Sequence, residues 1–164
     1  MSATETLDQE YDRLFEERGD LIAAVRDREP TPEESARFRA VMARLRAILA
    51  TPPPGYALPT QAAALTDHAR AHGWHAAVQW TPPGWDDEVH VKVSVSRHLT
   101  EQEARDARGS GWGYVYTWHA RGCQPGRLRL FGAGQAQTPD APWAHPAPSL
   151  RAVREVIAAR PAPA

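Results

Sequence analysis

The chain has one cysteine, one lysine and no apolar run long enough to span a membrane. A single cysteine, Cys123, excludes an internal disulfide and every zinc module built from several cysteines. Lys92 is the only lysine among 19 basic residues. With abundant arginine, alanine and proline, that is the composition of a GC-rich bacterial genome, so arginine in place of lysine carries no functional signal. GxxxxGK[ST], GxGxxG and GxSxG elements are all missing, which removes the common phosphate-loop, dinucleotide and nucleophile-elbow readings. The acidic N-terminus has no apolar stretch of signal-peptide type. The expectation is a soluble cytoplasmic protein with no membrane contact and no cofactor. A net charge of -1 gives no compositional reason to expect a polyanionic partner.

What charge there is lies unevenly. Residues 1–50 hold eleven acids and eight arginines, and the remainder holds nine acids and eleven bases. Two parts with different surfaces are expected within 164 residues, a length that suits one domain plus an appendage. The first part reads as two helices. Leu7, Tyr11, Leu14, Phe15, Ile22 and Val25 recur at helical spacing from Thr4 to Arg28, with Ser2 and Glu5 as a capping box. Thr31 then caps a second helix with Pro32 in its first position, and Phe38, Val41, Met42, Leu45, Ile48 and Leu49 carry the stripe to Ala50. The short turn between them makes an antiparallel hairpin. Two helices cannot enclose a core, so their stripes serve internal packing or a second copy, and a homodimer through residues 4–50 is expected.

Thr51-Pro52-Pro53-Pro54-Gly55 opens a stiff linker over 51–59. A third helix follows, with Thr60 as its cap and Gly73 as its stop. Four strands come next: Trp74 to Trp80, Val89 to His98, Trp112 to Ala120, and Arg127 to Phe131 with an extension toward Gln137. The second is the clearest, because Val89, Val91, Val93 and Val95 alternate with His90, Lys92, Ser94 and Ser96. The third sets Trp112, Tyr114, Tyr116 and Trp118 on one face and Gly113, Val115, Thr117 and His119 on the other. A short helix or turn over Leu99 to Arg108, with Thr100 and Glu103 in capping positions, joins these two strands. A Pro-rich crossing from Pro139 to Pro148 leads to a last helix capped by Ser149. The fold class is therefore α+β. A helical hairpin (1–50) and the linker precede an α-β-β-β-β-α domain (60–160), whose antiparallel sheet is covered by helices on one face.

The residues that invite chemistry fall in three groups. His68 and His72 share a helix face and His75 follows, a weak start for a metal site that lacks the glutamate of the zinc-protease helix. His119 and Cys123 have the character of a nucleophilic pair but no orienting third group. The third group is a surface. In one register of the sheet His90, Lys92 and Ser94 join Thr117, His119, Arg127 and Arg129 on one face, with Trp118 at its margin. In the other the aromatic residues are exposed beside His90 and Lys92. Basic residues interleaved with aromatics suit a protein partner, where Trp, Tyr and Arg dominate binding, or a single-stranded nucleic acid held by phosphate attraction and stacking. The leading expectation is a non-catalytic binding or regulatory protein that engages a protein or ligand through this face. Nucleic-acid binding comes second. A small acid-base enzyme using His119, His90 and a carboxylate such as Asp87 or Glu88 comes third.

Overall fold

The computed structural model describes residues 5–85, 88–97, 112–120, 126–135 and 148–161. The elements follow the expected order: α1 (Leu7–Ala24), α2 (Pro32–Leu49), α3 (Thr60–Ala71), β1 (His75–Trp80), β2 (His90–Arg97), β3 (Trp112–Ala120), β4 (Leu128–Gln135) and α4 (Leu150–Ala159). This is an α+β fold with a four-stranded antiparallel sheet. The segment 99–108, residues 139–147 of the crossing, Asp86, Asp87 and Cys123 lie outside the described residues.

Local signals account for most boundaries, with two corrections. α1 starts one turn later than expected. Thr6 and Gln9 form its capping box, with reciprocal side-chain bonds of 3.4 and 3.0 Å, while Glu5 turns to Arg13 at 2.9 Å. Ser2, the expected cap, lies outside the described residues. α2 begins as read, with Thr31 and Glu34 exchanging bonds of 3.2 and 2.8 Å and Pro32 in the first turn. In α3 the cap position belongs to Pro59, and Thr60 is already helical. Pro59 has no side-chain oxygen to offer, so α3 starts without a side-chain cap. Gly73, at φ 75°, closes its far end in a conformation that favours glycine. Ser149 caps α4 by accepting from the Ala152 N–H at 3.2 Å.

The sheet runs β1-β2-β3-β4, each strand antiparallel to the next. Its register resolves the alternative left open by the sequence. Val91, Val93 and Val95 stand opposite Trp118, Tyr116 and Tyr114 on one side, and opposite Trp80, Val78 and Ala76 on the other. Valines and aromatics therefore share one face, and α3 and α4 cover it with Ala62, Leu65, Ala69, Val153 and Ile157. Each of the three valines is at most 1% exposed. Burial of a valine side chain is worth up to about 1.5–3 kcal/mol, so this row supplies much of the drive to form the sheet. Two polar tips on the core are satisfied: the Trp74 indole donates to the Arg160 carbonyl and the Tyr116 hydroxyl to the Pro148 carbonyl, both at 2.7 Å. They tie down both ends of α4.

Two backbone details shape the opposite face. Gly113 faces Ser96, and a Cβ there would overlap the Val95 carbonyl oxygen and come within 2.9 Å of the Ser96 Cα. A bulge interrupts β3 and β4: Thr117 pairs with Gly132 but Trp118 pairs with Leu130, which leaves Phe131 as the extra residue.

The hairpin has its own small core of Leu14, Val41, Leu45 and Ile48, flanked by Tyr11, Leu21 and Met42. Arg44 bonds Glu10 at 2.7 Å and Arg37 bonds Glu17, both between α1 and α2. These are exposed pairs, each worth a fraction of a kcal/mol, and packing does most of the joining. α2 also contacts β1. The Pro-rich stretch is not a free tether: Tyr56 and Leu58 pack on the main core, and the Tyr56 ring lies 6.5 Å from that of Trp80. Among the described residues no helix is long and apolar enough to cross a membrane.

Candidate functional site

With the valines inward, strand alternation turns His90, Lys92 and Ser94 to the other face. The register then sets them in rows. His90 faces His119, which faces Arg129; Lys92 faces Thr117, which faces Gly132; Ser94 faces Val115, which faces Gly134. The helices place their buried residues on the opposite side. Lys92 and Arg129 are exposed, as is Arg127 just before β4. All three cations belong to one end of the face, and the other end carries small side chains and glycine.

The first row holds a ladder of rings. The His90 and His119 rings stack with centroids 5.2 Å apart and planes 21° apart, and the Phe131 ring lies 4.5 Å from His119. Alternation supplies the third rung: Phe131 lies two residues beyond Arg129, the partner of His119, and so keeps to the same face, with the bulge falling at Phe131 itself. Phe131 is 61% exposed. Its contact with His119 depends on how β3 and β4 pair, which has no signature in the sequence.

His90 is positioned by Thr81, which the sequence did not single out. Thr81 is 4% exposed, and its hydroxyl accepts the His90 N–H at 2.7 Å while its own N–H donates to the His90 carbonyl at 2.9 Å. The His90 Nδ1 lies 3.2 Å from the Glu88 carbonyl and 3.2 Å from the Thr81 hydroxyl. A proton on Nδ1 answers the carbonyl, which can only accept, and leaves Nε2 as the acceptor of the neutral ring. Glu88 thus meets His90 through its backbone oxygen.

The remaining residues separate from this face. Trp118 is a correction: expected at the margin of the surface, it is 1% exposed in the core. Adjacent strand residues point to opposite faces, so Trp118 cannot share a face with His119. His68 and His72 stack at 4.4 Å, but their contacts are with backbone. The His68 Nε2 lies 2.9 Å from the Arg154 carbonyl and the His72 Nδ1 lies 2.8 Å from the His68 carbonyl. Both nitrogens must therefore carry protons, and the pair tethers α3 to α4. His75 is exposed on β1. Among the described residues no group of three His, Cys, Asp or Glu side chains is placed to hold a metal ion. The chain matches no family model, no curated protein and no solved structure.

Proposed function

We propose that the chain is a non-catalytic binding protein that holds an acidic protein partner on the polar face of its sheet. One observation carries this reading: Lys92 and Arg129 flank the His90–His119–Phe131 ladder on the face away from the helices' buried residues. None of the paired residues in those rows is acidic. Charge complementarity therefore selects an acidic partner, and exposed Phe131 supplies an apolar anchor. The test uses a labelled glutamate-rich peptide and a labelled single-stranded oligonucleotide, titrated by fluorescence anisotropy. Peptide binding that weakens with salt and is lost in Lys92→Ala/Arg129→Ala supports the reading. Peptide binding unchanged in that variant refutes it, as does no binding at low salt.

Nucleic-acid binding is the second reading, and the ring ladder favours it, since bases of any sequence stack on such rings. Tighter binding of the oligonucleotide than of the peptide, with a loss of about 1–3 kcal/mol in Phe131→Ala, would decide for it. The proposal includes self-association through residues 4–50. Its support is an apolar groove of about 380 Å3 between α1 and α2, lined by Leu21, Ile22, Val25 and Phe38, with Ile22 51% exposed. A second hairpin is the occupant that such a groove suits. Light scattering should give a dimer for the full chain and a monomer for Ile22→Glu; equal masses would remove the hairpin as the association element.

A further inference from the structure

We propose a second binding site, for a small organic anion with an apolar body, in the cleft where the hairpin meets the outer edge of β1. The cleft has a volume of about 690 Å3, inside the roughly 300–1,000 Å3 range of small-molecule sites. Its floor is apolar, with Phe15, Met42 and Leu49 from the hairpin and Val78 from β1. Three arginines from three helices line it: Arg18, Arg46 and Arg70. No residue lining it is acidic.

The arginines of the hairpin divide into paired and unpaired ones. Arg13, Arg28, Arg37 and Arg44 each pair with a glutamate. Arg18 and Arg46, like Arg26 and Arg39, form no ion pair among the described residues; what singles out Arg18 and Arg46 is that they line one cavity with Arg70. Arg18 lies over the Phe15 ring at 4.4 Å, and its Nε is buried without a hydrogen-bond partner. Arg70 reaches the Ala76 carbonyl at 3.3 Å, on the strand edge.

The edge contributes as well. Thr81 N–H donates to the His90 carbonyl, and Ala120 N–H donates to the Val89 carbonyl. Antiparallel pairing alternates, so residues 75, 77 and 79 turn their backbone groups to β2 and Ala76 and Val78 turn theirs outward to the cleft. Guanidinium groups favour carboxylate by paired, charge-assisted bonds, and the Val78 N–H adds a backbone donor. The apolar floor then selects an anion with an aryl or acyl body over a bare ion. A ligand seated there touches α1, α2, α3 and β1, so it would brace the hairpin against the sheet.

Calorimetry with the full chain tests this, using 2-naphthoate, dodecanoate, uncharged 2-naphthalenemethanol and inorganic phosphate. At least one of the two carboxylates should bind saturably, and phosphate and the alcohol should each bind at least about tenfold more weakly than it does. Arg18→Gln, Arg46→Gln and Arg70→Gln should each weaken the carboxylate about tenfold, the loss of one charge-assisted bond. Arg151→Gln, on α4, should leave it unchanged. Lys92→Ala/Arg129→Ala should also leave it unchanged, which separates this site from the sheet face. No saturable binding of either carboxylate at millimolar concentration overturns the proposal. Equal affinity for the alcohol, or an equal loss in Arg151→Gln, also overturns it.

Discussion

Glycine-to-alanine substitutions at Gly113 and Gly132 should differ, the first destabilising and the second not, and the difference tests the register on which the candidate face depends. At Gly113 the new methyl group would overlap the Val95 carbonyl oxygen and stand 2.9 Å from the Ser96 Cα. Both obstacles are backbone, so no side-chain rotation relieves them. The strands must separate beside the Val95–Tyr114 row, where Val95 is 1% and Tyr114 7% exposed. Overpacking of that kind costs about 3 kcal/mol, which lowers the melting temperature of a chain this size by about 6–12 °C. At Gly132 a Cβ would meet nothing within 4 Å, and its φ is not among the positive ones. Alanine there removes backbone freedom from the unfolded chain and should be neutral or stabilise by about 0.5–1 kcal/mol. Thermal and urea melts followed by circular dichroism read both. If Gly113→Ala melts within about 2 °C of the parent, the β2–β3 register is wrong. The pairing of His90 with His119 would fall with it.

Two other outcomes follow from core position and charge. Trp118→Ala should cost about 3–5 kcal/mol, while Lys92→Ala stays within about 0.5 kcal/mol, by urea denaturation. A stable Trp118→Ala variant that loses only peptide binding would return Trp118 to the surface. The Glu34 carboxyl is held down to about 2, chiefly by the Arg28 guanidinium and then by the Thr31 N–H, against an ordinary value of 4.5. A lowered folded-state pKa stabilises above the unfolded value, and that stabilisation is lost as pH falls through the folded one. The difference in melting temperature between the parent and Glu34→Gln should therefore be constant above about pH 5 and vanish near pH 2, and salt should shrink it. A difference that persists unchanged to pH 2 contradicts the assignment.

The alternation of β2 and β3 makes their two faces legible from sequence alone, because a period of two admits only one division of side chains in each strand. How the strands pair is a relation between segments. Valines and aromatics both accept burial, so the sequence allowed two registers, and packing under α3 and α4 selected one. Caps show the same limit on a smaller scale. Ser2-x-x-Glu5 and Thr6-x-x-Gln9 both fit a capping box, and the helix uses the second. Phe131 meets His119 only through the β3–β4 pairing, a relation that neither strand's sequence carries. The cleft was the least legible feature. Arg18, Arg46 and Arg70 sit on three helices, and only the seating of α2 beside β1 brings them to one cavity.

The anchoring of the Pro-rich stretch has a mechanical consequence. Thr51 holds the Ala47 carbonyl at 3.0 Å at one end, the Tyr56 N–H closes a turn on the Pro53 carbonyl at 3.1 Å, and Tyr56 leans on Trp80. Besides the chain's own path into α3, the Tyr56 contact joins the stretch to the sheet at Trp80, at the end of β1. Trp80 stands opposite Val91, so load through that contact falls on the β1–β2 seam at the row of fully buried side chains. That is the seam best able to carry it, because slippage there would expose Trp80 and Val91 together. Load on the hairpin would therefore be met by the hydrophobic core at this contact as well as by the chain's own path into α3.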